Sequence, residues 1–244
     1  MLGAFLWGLF ATSTLLMGAL VVQLRPPGKR VLGTVMAFGA GVLISAVSFE
    51  LIQEAVDVSG GRAGTATGFF AGAIVFTAGD FAISKMGYHN RKDVGGEAQD
   101  APPFAIVLGT FLDGVPESAV LGLTIVQTGE VGVAMLVAVF ISNLPESIAA
   151  SSTLRASGWS AKRVMTLWSF IAVVCAVSAA LGYELLDGAS PNVLAFTLAF
   201  AGGAILSMLA TSMMPEAYEH ARRWAGMATV VGFGVAFAVN WAGR

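Results

Sequence analysis

Two similar motifs place carboxylates in the middle of long apolar segments. The first reads FLDGVPES over residues 111–118, and the second reads FISNLPES over residues 140–147. In each motif a polar residue precedes the glutamate by four positions, so the two side chains share one face of a helix. A charged side chain at the centre of a bilayer costs roughly 2.5–3.5 kcal/mol on insertion scales, so it needs a partner. We therefore predict that these side chains bind a cation.

The prolines of the two motifs add further oxygen ligands. Proline lacks a backbone N–H, so Pro116 and Pro145 leave the carbonyl oxygens of Leu112 and Ile141 without their usual helical partners. The predicted metal ligands are Asp113, Glu117, Ser142, Asn143 and Glu146. The alternative is that the prolines only kink membrane helices and that the acids pair with buried polar groups.

The composition predicts that these motifs lie in a membrane protein. The chain has 244 residues, of which 56% are hydrophobic and 11% are charged, and its mean hydropathy is +0.79. A soluble domain carries about 25% charged residues, which solvate its surface. We therefore expect an all-α polytopic membrane protein surrounded by lipid, with no organic cofactor and no nucleic-acid partner. The single cysteine excludes an internal disulfide framework.

Eight apolar segments are long enough to cross a bilayer, which takes about 20 helical residues. They cover residues 2–23, 31–56, 63–86, 103–127, 131–154, 163–186, 191–218 and 224–242. We number them spans 1 to 8 and expect a single transmembrane domain over residues 1–244. The substantial polar segment, residues 87–102, is predicted to be a loop between spans 3 and 4.

The basic residues predict the orientation of the spans. Cytoplasmic loops carry an excess of Lys and Arg. Of the 13 basic residues, 11 fall on one side of the predicted spans. This side contains the 87–102 loop, which we therefore expect to be cytoplasmic, with both termini outside the cell membrane.

A second repeat relates spans 2 and 7. Residues 37–55 align without gaps on residues 199–217, and six of the 19 aligned positions are identical. If every segment crosses the membrane, span 2 runs outward and span 7 runs inward. We therefore predict that spans 1–3 and 6–8 form inverted repeats around a central pair, spans 4 and 5. Inverted repeats with a site near the membrane midplane are typical of transporters.

Charged groups near the ends of spans 2 and 7 are candidate pathway ligands. They are Glu50 and Glu54 in span 2, and Glu216, Glu219 and His220 in span 7. One interpretation makes them entry and exit ligands on either side of the central site. The other is that long charged side chains at helix ends simply reach the headgroup region.

These motifs resemble those of the ZIP (Zrt/Irt-like protein) family of metal-ion transporters. The residues that carry the resemblance are Asp113-Gly-Val-Pro-Glu117, Ser142-Asn-Leu-Pro-Glu146 and the acidic ends of spans 2 and 7. The resemblance covers nearly the whole chain and implies a divergent, prokaryotic member. It implies eight spans, outside termini, a homodimer, and one helical bundle that moves against the other as an elevator.

The resemblance also implies roles for individual residues. Asp113, Glu117, Ser142 and Glu146 would form a first metal position. Gly114 and Asn143, with both glutamates, would match the second position of binuclear members. Cys175 falls where some bacterial members carry a glutamate in span 6.

The motifs depart from the family pattern in the types of ligand. Asp113 stands where histidine is usual, Gly114 where asparagine is usual, and Ser142 where histidine or glutamine is common. Oxygen ligands favour manganese, iron or magnesium relative to zinc, which is the family default.

From the motifs and the family resemblance together, we expect a transporter that moves a divalent metal cation into the cytoplasm. A metal-binding membrane protein that does not transport, and an intramembrane metal-dependent enzyme, remain alternatives.

Overall fold

The computed structural model describes residues 1–25, 27–60, 63–85 and 103–242, and it has eight helices long and apolar enough to cross a membrane. The predicted 87–102 loop lies outside the described residues. The helices are Leu2–Leu24, Lys29–Ser59, Ala63–Lys85, Pro103–Thr128, Val133–Ala156, Ala161–Leu186, Pro191–Ala221 and Arg223–Ala242. The predicted all-α fold and the eight spans are confirmed, with ends that shift by a few residues.

Burial separates the inner spans from the outer ones. Span 5 is the most enclosed, with 72% of its apolar window buried, whereas spans 3 and 8 have 17% buried. Large apolar side chains such as Phe70 and Trp241 point away from the protein. This is the pattern of helices that contact lipid, because a bilayer solvates apolar side chains as well as a protein core does.

The spans pack as two groups of four. Span 1 packs against spans 5 and 6, and span 4 packs against span 6. Span 3 packs against span 7, and span 8 packs against span 2, which also contacts span 7. We call spans 1, 4, 5 and 6 the first bundle, and spans 2, 3, 7 and 8 the second bundle.

Glycines bring the helices of the second bundle into backbone contact. A Cβ atom added at Gly41 would collide with the carbonyl oxygen of Thr229, and one at Gly232 with that of Phe38. Spans 2 and 8 therefore approach each other through a glycine on each side. Spans 3 and 7 do the same, because Gly203 lies against the carbonyl of Phe69. Small residues allow this close packing, which stabilises helices in lipid.

The two halves of the chain have equivalent features at aligned positions. Gly41 and Gly203 are an aligned pair, and each contacts the outer span of the other half: Gly41 lies against Thr229 of span 8, and Gly203 lies against Phe69 of span 3. Spans 2 and 7 also each contain a π-helical segment, Val47–Ile52 and Leu209–Met213. These segments begin at aligned positions of the repeat. They support the equivalence of spans 1–3 with spans 6–8, and the inverted orientation of the halves stays a prediction.

The π-helical segment of span 7 has a cause in the sequence. Pro215 lies two residues beyond its last residue, Met213, and cannot donate the helical hydrogen bond to Thr211. Span 2 has no proline at this point, and its π-helical segment contains Glu50 instead. π-helical turns inside α-helices frequently occur at functional sites.

The bundles meet where spans 2 and 7 contact spans 5 and 4. Span 2 packs along span 5, and span 7 contacts span 4. Gly39 of span 2 lies at this interface, because a Cβ atom there would be 3.5 Å from the Cα of Ser142. The interface therefore brings the second motif into contact with span 2.

Candidate metal site

The structure buries every ligand that the sequence predicted for the central site. Span 4 carries Asp113 and Glu117, which are 2% and 1% exposed. Span 5 carries Ser142, Asn143 and Glu146, which are 0%, 2% and 4% exposed. Acidic side chains are almost never buried to this extent unless they are paired.

The helices continue through the two motif prolines. Pro116 lies inside the helix Pro103–Thr128, and Pro145 lies inside the helix Val133–Ala156. Neither proline ends its helix, and the release of the Leu112 and Ile141 carbonyl oxygens stays a prediction. Nearby Val115 accepts a hydrogen bond of 3.0 Å from the Ser178 hydroxyl of span 6.

The polar residues of span 5 differ in how their groups are bonded. The Ser142 hydroxyl donates to the carbonyl oxygen of Val139 at 3.2 Å. The side-chain nitrogen of Asn143 makes no hydrogen bond within the described part of the chain. A buried polar group without a hydrogen bond is unusual in a native protein and suggests that another group binds there.

Cys175 of span 6 lies beside the first motif. A Cβ atom added at Gly114 would be 3.2 Å from the Cys175 sulfur. The thiol also contacts the Ser118 hydroxyl and lies within electrostatic range of Glu117 and Glu146. Cys175 therefore belongs to the buried core and also lies beside the candidate site.

The carboxylates and the thiol do not converge closely enough to hold a metal ion by themselves. Among the described residues, no group of three or more His, Cys, Asp and Glu side chains has the required geometry. A bound cation would therefore need additional ligands, such as the serine hydroxyl and the amide of span 5, or a movement of spans 4 and 5 toward each other.

Glu50 makes contacts that the sequence did not predict. Its two carboxylate oxygens accept hydrogen bonds from the backbone N–H groups of Ala134 (3.1 Å) and Met135 (3.0 Å). The Asn240 side chain of span 8 hydrogen-bonds the same carboxylate. Glu54, one turn further along span 2, is half-buried.

The candidate groups at the end of span 7 have different environments. His220 is buried against Gly33 of span 2, and its Nε2 atom has no hydrogen-bond partner among the described residues. Glu216 is half-buried and Glu219 is exposed. Glu216 and His220 share a helical face, because they are four residues apart.

Met213 and Ser45 are two buried residues of spans 7 and 2 that the sequence did not predict to belong to the site. Met213 ends the π-helical segment of span 7 and is fully buried. Its methyl group lies 3.1 Å from the Cβ position of Gly39, the same glycine that contacts Ser142. Ser45 is buried and its hydroxyl has no hydrogen-bond partner in the described ranges. The sequence did contain one indication of Ser45, because serine also occupies the aligned position of the repeat, Ser207.

Ser147, the last residue of the second motif, joins two spans. Its hydroxyl lies within hydrogen-bond distance of the carbonyl oxygens of Leu144 (3.0 Å) and Thr14 (3.4 Å). It can occupy this position because Gly18 of span 1 has no side chain to collide with it. Ser147 therefore fixes span 5 against span 1 rather than contributing a ligand.

Comparisons with known proteins agree with the transporter resemblance. No family model matches the chain. Over 192 residues, the chain is 28% identical to a protein of Arabidopsis thaliana named "Putative zinc transporter". The match covers 78% of this chain and 30% of that relative. The protein is thus a multi-pass helical membrane protein similar to a zinc transporter, which is consistent with the ZIP resemblance.

Proposed function

We propose that this protein transports a divalent metal cation across the membrane through the carboxylates of spans 4 and 5. The observation that carries the proposal is the burial of Asp113, Glu117 and Glu146 inside a bundle of apolar spans. Carboxylates at this depth would be costly without a positive partner. Similarity to a zinc transporter supports a metal as that partner.

The contacts of the two bundles suggest how such a site could change its exposure. Spans 4 and 5 belong to the first bundle, and they face spans 7 and 2 of the second bundle. A relative movement of the bundles would expose the site to one side of the membrane and then to the other. The distribution of basic residues supports outside termini, and uptake into the cytoplasm is what the ZIP resemblance implies.

Two sulfur atoms near the site favour zinc as the substrate, whereas the oxygen ligands of the motifs favour manganese or iron. Oxygen ligands from Asp113 and Ser142 suit manganese or iron, whereas thiolates and thioethers suit softer metals. Cys175 lies beside Gly114, and Met213 lies across Gly39 from Ser142. We therefore propose zinc as the first substrate, with manganese and iron as competitors. That the protein forms a homodimer, as the family resemblance implies, stays a prediction.

A reconstituted uptake assay tests this proposal. The purified protein in liposomes should accumulate zinc faster than protein-free liposomes, and cadmium should compete more strongly than manganese, iron or cobalt. Metal binding without accumulation would identify a binding protein rather than a transporter. Stronger competition by manganese or iron would show that the oxygen ligands determine the selectivity.

A further inference from the structure

Glu50 bonds a helix that belongs to the other bundle. It lies in the π-helical segment of span 2, which is in the second bundle. Its carboxylate accepts from the N–H groups of Ala134 and Met135, which are the second and third helical residues of span 5 in the first bundle. These two hydrogen bonds therefore cross the interface between the bundles.

Span 5 has no capping side chain of its own. The residue before its first turn is Gly132, which makes no side-chain hydrogen bond. The first N–H groups of a helix lack partners within that helix, and the helix dipole places partial positive charge there. Glu50 supplies both the missing acceptors and the negative charge.

The surroundings are shaped to admit this carboxylate. A Cβ atom at Gly132 would be 2.6 Å from a carboxylate oxygen of Glu50. The N–H of Gly132 donates to the Thr124 hydroxyl at 3.0 Å, which fixes the preceding turn. Asn240 of span 8 hydrogen-bonds the same carboxylate from within the second bundle. The glutamate is thus held on one bundle and bonds the backbone of the other.

The acid that makes this contact has no equivalent in the other half of the chain. In the aligned repeat, the position equivalent to Glu50 is Ser212 of span 7. A serine hydroxyl has one oxygen and no charge, so it cannot make the same paired contact. The two halves share the π-helical segment but not the acid.

We propose that Glu50 is a latch that holds the two bundles together at the span 4–span 5 turn and closes that side of the candidate site. Release of the latch would let span 5, with Ser142, Asn143 and Glu146, separate from span 2 at this end. Glu50 is therefore a positioning residue and gate rather than a metal ligand.

Cysteine labelling provides a direct test that does not depend on metal flux. Ser142 lies against Gly39 at the interface between the bundles, so modification of a Ser142→Cys variant in a Cys175→Ser background reports opening. In sealed vesicles, a membrane-impermeant maleimide is added from each side in turn. Glu50→Gln should raise the labelling rate from the side of residues 129–132 by roughly 10- to 100-fold, the change expected from losing one charge-assisted hydrogen bond. Labelling from the other side should not change.

The controls separate the latch from general loosening. Asp57→Asn removes an exposed carboxylate from the same helix and should leave the rate unchanged. Gly132→Ala should act like Glu50→Gln, because the added methyl group displaces the carboxylate. An unchanged rate in Glu50→Gln, or an equal increase from both sides, would overturn the proposal.

Hydrogen exchange of the wild-type protein gives a test without a variant. The amides of Ala134 and Met135 should exchange slowly if Glu50 bonds them. Exchange at the rate of unprotected amides would rule out the latch even if the variants fail to fold.

Discussion

Substitution of Gly203 tests the packing that builds the second bundle. A Cβ atom there would collide with the backbone carbonyl oxygen of Phe69, and it would also lie 2.8 Å from its carbonyl carbon. The backbone of span 3 cannot move aside as a flexible side chain can, so spans 3 and 7 must separate. Gly203→Ala is therefore expected to destabilise the protein.

The magnitude follows from two opposing effects. Overpacking a tight contact costs about 1–3 kcal/mol, while replacing glycine by alanine inside a helix gains roughly 0.5–1 kcal/mol. The net loss is therefore at most about 2.5 kcal/mol. Since about 1 kcal/mol shifts the Tm of a chain of this size by roughly 2–4 °C, the Tm should fall by up to roughly 10 °C.

Thermal unfolding in detergent measures this effect against a matched control. Gly64 lies in span 3, and a Cβ atom there has no neighbour within 4 Å. Gly64→Ala should therefore keep or slightly raise the Tm. Gly41→Ala, at the aligned position in span 2, should behave like Gly203→Ala because it collides with the carbonyl of Thr229. A Gly203→Ala protein as stable as the Gly64→Ala protein would refute the proposed contact.

Three further predictions concern the site and its support. Cys175→Ser should weaken competition by cadmium relative to manganese in the uptake assay, because it replaces the soft sulfur ligand by oxygen. An unchanged order of competition among the metals would exclude the thiol from the site. Uptake should decrease as the pH is lowered, because protons compete with metal for the carboxylates of Glu117 and Glu146; a flat profile over acid pH would argue against carboxylate ligands. Trp168→Phe should lower stability by about 1 kcal/mol, since its indole N–H donates to Ser151 at 2.8 Å, and an unchanged Tm would contradict this.

The spans and the two central motifs could be predicted from the sequence because both depend on local patterns. A long apolar run predicts a membrane helix from its length alone, and a buried Pro-Glu pair is conspicuous within it. The repeat between spans 2 and 7 also predicted where equivalent features occur. Its alignment matched Gly41 with Gly203, which make the same kind of contact in the structure.

The hydrogen bonds of Glu50 could not be predicted, because its partners are backbone N–H groups about 85 residues away, and any residue type but proline supplies such a group. The two π-helical segments were not predicted either, although Pro215 was a partial signal for one. The position of Cys175 beside Gly114 depends on how span 6 is rotated against span 4. Counting along the chain suggested that Cys175 aligns with a span 6 ligand of the family. Only the packing of the spans shows that its sulfur lies beside Gly114.

The most direct test of the central claim is metal uptake by the Glu117→Gln, Glu146→Gln double variant in proteoliposomes. Both substitutions keep the size of the side chain and remove its negative charge, so the fold can be checked by the Tm. Our account predicts a correctly folded protein whose zinc uptake equals that of empty liposomes, whereas Asp57→Asn should transport like the wild type. Wild-type uptake by the double variant would contradict the proposal that these two glutamates carry the metal across the membrane.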